Sequence, residues 1–373
     1  MSRSPGDGPV FASRRTAEAS RKRPAGAAGG AVGASRKRSA AGRAVCLAID
    51  TTFDDTSVAL LRGRREVLAN LTLAQIAEHA EFGGIVPERA SRKHLEAIHP
   101  LLDRALADAG IGWDGVDYVA VSNLPGLLGS ILVGMTVAKT VAWTLRRPLI
   151  GINHIEAHPY ANFLVHGELP FPLMHLVAAG GHTLLIHQRD HFDWTIVGRS
   201  VDDAAGECVD KVAKMFGHAF PGGPVVDRLA LEHAPGPYDF PRPMLRDGLD
   251  FSFSGLKTAM FYFLREREGQ PIEAGPAVSA FFEAVMDVLV TKTLRAARRY
   301  EVKAITVSGG LAASRKLRAR FEEKTQEAGI PLYAPPPQLC TDNAAMVACL
   351  AAYRHEAGRH DGWDLEGFAN LPA

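Results

Sequence analysis

The sequence predicts an α/β protein of two similar lobes behind a basic tail. Two strand–polar turn–strand units carry that prediction, each opening a domain-sized stretch, with long helical patterns between them. The 373 residues, 47% of them hydrophobic, are enough chain for two packed domains.

Residues 1–43 differ from the rest. They hold ten Arg or Lys against two acids, Asp7 and Glu18, a balance of +8; the other 32 bases and 39 acids give −7. This stretch is nearly free of large apolar residues and cannot bury enough surface to offset its chain entropy, so disorder is expected. Arg21-Lys22-Arg23 and Arg36-Lys37-Arg38 suit RNA phosphates or an organelle transit peptide, and a solvated tail is the plainer reading. No apolar core of a secretory signal is present. A cytoplasmic location is expected, or a mitochondrial one if the tail is a transit peptide. Cys46, Cys208, Cys340 and Cys349 are scattered without a C-x-x-C pair, which favours reduced thiols. No run of 18 apolar residues occurs, which argues against a membrane-spanning helix.

The ordered chain is expected to open at Val45. Residues 45–49 are apolar, Asp50-Thr51-Thr52-Phe53-Asp54-Asp55-Thr56 is polar, and residues 57–61 are apolar again. Paired carboxylates at Asp54 and Asp55 can hold a cation, orient a water or take a proton; a plain Asx turn needs only one of them. Helical patterns follow at 92–107, with Leu95, Ile98, Leu102 and Leu106 at helical spacing, and at 130–145.

Asn153-His154-Ile155-Glu156-Ala157-His158 reads as a helix start, with Asn153 as N-cap and Glu156 completing a capping box. His154 and His158, four apart, share a face as two metal ligands must. Glu156 is displaced by one from the H-E-x-x-H pattern, so its geometry does not suit a peptidase base. Two unrelated surface histidines are the alternative in a chain with 14. Pro159 is expected to bend the helix. Asp342, after the rigid Pro335-Pro336-Pro337 and ahead of an Ala-rich helix, is the candidate third ligand. Two His and a carboxylate suit Fe(II) or Zn(II).

The second unit is 173–179, then Gly180-Gly181-His182-Thr183, then 184–186. Its glycines permit close approach to phosphate, although glycines are common in hairpins. Residues 200–207 lead into a helix with Asp210, and Pro221-Gly222-Gly223-Pro224 makes a rigid turn before Asp227. Both acids are placed to accept hydrogen bonds from ribose hydroxyls, though capping would explain either. After a long helix at 277–300, the strand 304–307 runs into Gly309-Gly310 and a helix over 314–324. A helix N-terminus there favours anions. The full dinucleotide fingerprint is missing.

Together these segments resemble the bacterial and mitochondrial family of tRNA N6-adenosine threonylcarbamoyltransferases, TsaD. The resemblance covers residues 45–351. It rests on Gly83-Gly84-Ile85-Val86-Pro87-Glu88, Pro125-Gly126-Leu127, the histidine motif, 180–183, 202–214, 221–224, 251–258, Gly309-Gly310 and 340–343. It implies a two-lobed actin/Hsp70/hexokinase-like (ASKHA) fold. The lobes would be 44–170 and 171–342, with the C-terminal helix, about 343–373, returning to the first. It implies transfer of threonylcarbamoyl from threonylcarbamoyl-AMP to N6 of adenosine 37 in tRNAs that read ANN codons. His154, His158 and Asp342 match the ligands of one divalent metal, Fe(II) by preference, with Zn(II) as alternative. Val177, Ala178, Ala179, Gly180 and Gly181 match the substrate-binding stretch, and Asp210, Gly223, Asp227 and Ser314 match further donor contacts. Asp54 matches an acid implicated in activity. The implied partners are tRNA, a non-catalytic paralogous TsaB-like subunit and a small TsaE-like ATPase, with no membrane. The chain departs from the usual pattern at Ala179 (Ser), Ser314 (Asn), Leu124 (Gly) and Asp50, Phe53 and Asp55 (Glu, Cys, Glu). The rival readings are a metal-dependent peptidase, opposed by Glu156, and a non-catalytic nucleotide-binding subunit, opposed by the metal motif. A sugar or acetate kinase of the same fold would need a phosphoryl acceptor site, which is not evident.

Overall fold

The computed structural model describes residues 43–80, 84–270 and 272–371. The expectation for the basic tail, and Gly83 of the glycine motif, lie outside the described residues.

Two five-stranded sheets repeat one topology. In the first, β1 (Val45–Asp50), β2 (Asp55–Arg62) and β3 (Glu66–Ala74) form an antiparallel ladder, and β4 (Tyr118–Leu124) and β5 (Leu149–Asn153) add parallel strands beside β1. In the second, β6 (Leu173–Ala178), β7 (Thr183–Asp190) and β8 (Asp193–Arg199) are antiparallel, and β9 (Ala304–Ser308) and β10 (Leu332–Tyr333) are parallel to β6. Asp50 pairs with Ser57, and Ala178 with Thr183, so the two polar turns occupy equivalent corners.

The central strands are apolar on both faces because both are covered. Leu47 and Ile49 of β1 meet α2 (Pro87–Ala109) and α3 (Leu128–Leu145), preceded by the short α1 (Ile76–Ala80). Cys46 and Ala48 meet α4 (His154–His166) and α10 (Ala344–Glu356) on the other face. In the second lobe α5 (Ala205–Met215), α6 (Gly223–Glu232), α7 (Ser254–Arg265), α8 (Ala274–Arg299) and α9 (Arg315–Ala328) enclose a separate core around Met174, Leu176 and Phe281. All four cysteines are buried free thiols.

Several expectations need correction. The helix expected over 92–107 begins at Pro87, where the missing N–H costs nothing. It ends before Gly110, whose φ of 64° forms a left-handed cap. Leu95 is not a core residue but 60% exposed; His94, Ile98 and Leu102 make the buried stripe. Pro159, where a bend was expected, lies inside α4, which is buried nearly all round and runs on to His166. The helix near 314–324 runs from Arg315 to Ala328, with Ser314 as its cap. Leu128–Leu145 and Ala274–Arg299 are long and apolar enough to cross a membrane by composition, although 72% of the second is buried in its lobe.

Candidate metal centre and nucleotide site

The site is assembled by chain turns at the ends of strands. β5 stops at Asn153, whose side-chain oxygen accepts from the N–H groups of Ile155 (2.9 Å) and Glu156 (3.4 Å) and starts α4. One helical turn then places the rings of His154 and His158 4.8 Å apart, nearly perpendicular. At the start of α10 Asn343 caps the helix through Met346 N–H. Asp342 precedes it, with Oδ1 3.5 Å from Nε2 of both histidines. The three ligand atoms lie within 4.8 Å of one another.

Two observations test whether these residues fit a metal. Both ring nitrogens of His158 are buried without a hydrogen-bond partner among the described residues. Burial, then the neighbouring His154, lowers its pKa to about 4, which leaves the neutral imidazole a metal needs. His154 has its tautomer set from behind. Nδ1 donates to Asp50 Oδ2 at 2.8 Å, which leaves Nε2 as the nitrogen that faces Asp342. Asp50 is itself held by Thr52, whose N–H and hydroxyl donate to Oδ1 at 3.1 and 2.8 Å. Burial opposes charge on His154, but Asp50 and Asp342 outweigh it and raise its pKa well above the ordinary value. Burial alone would raise the pKa of Asp342; His154 and His158 instead hold it far below the usual carboxylate range. The site thus stabilises positive charge between two carboxylates, and the donor set fits one divalent ion.

The first turn adds two more acids. The pKa of Asp54 is raised by burial and then by Asp342. That of Asp55 is pushed up to about 8 by burial, then Asp342, Asp54 and Asp50. Across Phe53 the two turns face each other, its ring 5.6 Å from that of His154 and 5.9 Å from that of His182.

In the second lobe, Val177 and Ala178 are buried at the end of β6, and Ala179 N–H closes the hairpin onto His182 O at 2.8 Å. Gly180 and Gly181 are exposed, with open space where a Cβ would stand. Gly309, at φ +89°, lies so close that a Cβ would meet the Ala178 carbonyl at 2.5 Å, which only glycine allows. Asp210 Oδ1 accepts from the N–H groups of Gly222 (2.7 Å) and Gly223 (3.3 Å). Asp227 caps α9: its Oδ1 accepts from Ser314 Oγ (2.6 Å) and Lys316 N–H (3.1 Å), and its Oδ2 from Arg315 N–H (3.2 Å). The two acids are therefore engaged with the polypeptide, and neither contacts the histidine–aspartate group. A groove of about 410 Å³ between α8 and α9, lined by Asp287, Leu294, Arg295 and Arg320, contains none of these residues.

Glu156 does not close the expected capping box. Its carboxylate is buried and binds Arg354 of α10 at 2.8 Å, which also removes it as a peptidase base. Sequence reasoning gave no site role to Asp50, Thr52 or His182. The polar turns that contain them were visible; partnerships across more than a hundred residues of chain were not.

Comparison with known proteins places these features in context. The model of the family TsaD: tRNA N6-adenosine threonylcarbamoyltransferase matches residues 66–349. The chain belongs to this family. A relative of that name from Moorella thermoacetica is 46% identical over 329 residues, 87% of this chain and 96% of the relative. Another from Thermomicrobium roseum is 43% identical over 355 residues, covering 88% and 96%. Among solved structures, full-length HypF in a phosphate- and nucleotide-bound form aligns with a TM-score of 0.55 at 15% identity, over 86% of this chain and 47% of that one. Component A of the (R)-2-hydroxyglutaryl-CoA dehydratase of Acidaminococcus fermentans aligns at 0.51 and 13%, over 84% and 98%. These likenesses bear on the fold alone, and the α/β, two-lobed ASKHA architecture expected from the sequence is the one observed.

Proposed function

We propose that this chain transfers the threonylcarbamoyl group from threonylcarbamoyl-AMP to N6 of adenosine 37 in tRNAs reading ANN codons. The group of two buried histidines, His154 and His158, with the half-buried Asp342, facing the glycine turn across Phe53, is the observation that carries the reading. The two imidazoles and one carboxylate would hold a single divalent ion, with Fe(II) favoured by the family resemblance and Zn(II) as the alternative. Such an ion supplies charge neutralisation for the phosphate of the departing AMP.

The remaining steps belong to the chain. The open backbone of Gly180 and Gly181, continuing the stretch Val177, Ala178 and Ala179, cradles the donor. Gly223 and Ser314, held by Asp210 and Asp227, shape its nucleotide end. The adenine amine attacks the carbamoyl carbon. A new C–N bond forms as the C–O bond to AMP breaks, and Asp54 takes the amine proton. Its raised pKa suits that task. The amine is a weak nucleophile, so orientation supplies much of the acceleration. The proposed partners are a TsaB-like paralogue and a TsaE-like ATPase, and the proposed location is the cytoplasm, or mitochondria if the tail is a transit peptide.

The test is mass spectrometry of tRNA nucleosides after incubation with threonine, bicarbonate, ATP and the adenylate-forming enzyme, with and without each partner. Wild-type protein should yield the modified adenosine. His154→Ala should bind tRNA and leave it unmodified, and wild-type modification by that variant refutes the metal's role.

A further inference from the structure

The first turn is gripped from behind by a histidine that the transfer reaction does not use directly. His94 lies on α2 and is fully buried. Its Nε2 is 3.0 Å from the carbonyl oxygen of Phe53, and its Nδ1 is 2.7 Å from Oγ1 of Thr56. Asp54 and Asp55 are the two residues between these attachment points.

Donor and acceptor chemistry fixes the direction of every bond here. A carbonyl only accepts, so Nε2 carries the proton and donates to Phe53. In that neutral ring Nδ1 is an acceptor. It takes the hydroxyl hydrogen of Thr56 and, at 3.3 Å, an amide hydrogen of Gln75. The Gln75 oxygen accepts from His79 Nε2–H at 3.2 Å, and His79 Nδ1 accepts from Val86 N–H at 3.3 Å. The hydrogen bonds therefore run one way: Val86 to His79, to Gln75, to His94, to Phe53. All three side chains are fully buried. Burial lowers the pKa of His94 and keeps it in the neutral form this chain of bonds requires. Ile98 and Leu102 fill the same buried stripe with apolar side chains, whereas both ring nitrogens of His94 bond the first turn, so packing alone does not account for the arrangement.

We propose that His94, backed by Gln75 and His79, is a positioning residue for the transfer: it clamps the first turn on both sides of Asp54 and sets where that carboxylate stands. The proposal rests on the reading of Asp54 as the proton acceptor. The two flanking bonds restrain the turn at Phe53, whose ring also touches His154, so the clamp holds Asp54 in register with the metal ligands.

The experiment compares turnover at saturating donor and tRNA for four full-length variants: His94→Asn, His94→Gln, Asp54→Asn and the double variant Asp54→Asn/His94→Asn. Asparagine can keep the acceptor near Thr56 but loses the donor to Phe53; glutamine keeps that donor. His94→Asn should lose turnover about 10- to 100-fold, with KM for tRNA and bound metal unchanged. His94→Gln should recover most of the loss. In the Asp54→Asn background the same change should cost less than about three-fold, because coupled residues are not additive. Wild-type turnover in His94→Asn, or an equal loss in both backgrounds, overturns the proposal. Gln75→Leu, which breaks the chain one step back, repeats the comparison if His94→Asn does not fold. Nitrogen NMR of the wild-type protein labelled at histidine gives a reading independent of activity. Both His79 and His94 should be Nε2–H tautomers, and Nδ1–H at either refutes the clamp. Full turnover in Asp54→Asn would instead remove Asp54 from the chemistry, and the clamp would then stand or fall on the tautomers.

Discussion

At the scale of single residues, the metal group divides into what is local in the chain and what is not. His154 and His158 were legible because a four-residue spacing is a statement about one helix. Asp50 was legible only as a departure from the usual glutamate, since its bond to His154 spans 104 positions. It is the group that decides which nitrogen of His154 faces Asp342. Asp50→Ala should therefore weaken metal binding about 10- to 100-fold, read by chelator competition. Asp50→Asn should lose less, since an amide oxygen still accepts from Nδ1–H. Equal affinity for Asp50→Ala and wild type would show that the tautomer is set elsewhere. Asp55 carries a pH signature. Its pKa rises on folding from 3.8 to about 8, so between those values the folded chain holds a proton that the unfolded chain has released. Stability then falls as pH rises through that window. In metal-stripped protein, Asp55→Asn should raise the melting temperature relative to wild type more at pH 8 than at pH 5. The opposite order would place the proton on another acid.

At the scale of elements, periodicity found the long helices and misjudged their ends and faces. The exposed first turn of α2 carries no apolar signal, so Pro87 marked a start that hydrophobic spacing could not see. Leu95 fitted the stripe by type, while His94, a polar residue, occupies its buried position. Capping chemistry showed the same pattern. Asn153 and Asn343 cap their helices through side-chain oxygens, but the expected capping partner Glu156 is taken by Arg354 from a helix nearly two hundred residues later. Asn343 holds both sides of Asp342. Its oxygen accepts from Met346 N–H at 3.1 Å, and its amide donates to the Thr341 carbonyl at 2.8 Å. Asn343→Ala should cost about 1 kcal/mol of stability in a urea titration of metal-stripped protein and weaken metal binding as well. Asn343→Asp keeps the acceptor and should keep the stability. If it loses as much as alanine does, the cap is not the source of the effect.

At the scale of the whole molecule, the repeat of strand, polar turn and strand was the most legible feature, because both turns interrupt apolar runs of similar length. The way the repeats are joined was not legible, since it depends on where helices pack. α4 carries the chain from the first sheet to the second, and α10 follows β10 of the second sheet and packs against α4 and β1 of the first. His154 and His158 sit at the start of one connection, and Asp342 at the start of the other. A metal held by these three residues therefore joins the two crossings between lobes, and its binding should tighten more than its own ligands. Saturation at 100 times the dissociation constant stabilises the bound state by about 2.7 kcal/mol. That energy should appear in both connections together. Hydrogen exchange with and without metal tests this directly: amides early in α4 and across 340–348 should slow in parallel, and His158→Ala should abolish both changes at once. Protection confined to α4 would mean that Asp342 does not complete the centre, and that the second crossing moves independently of the first.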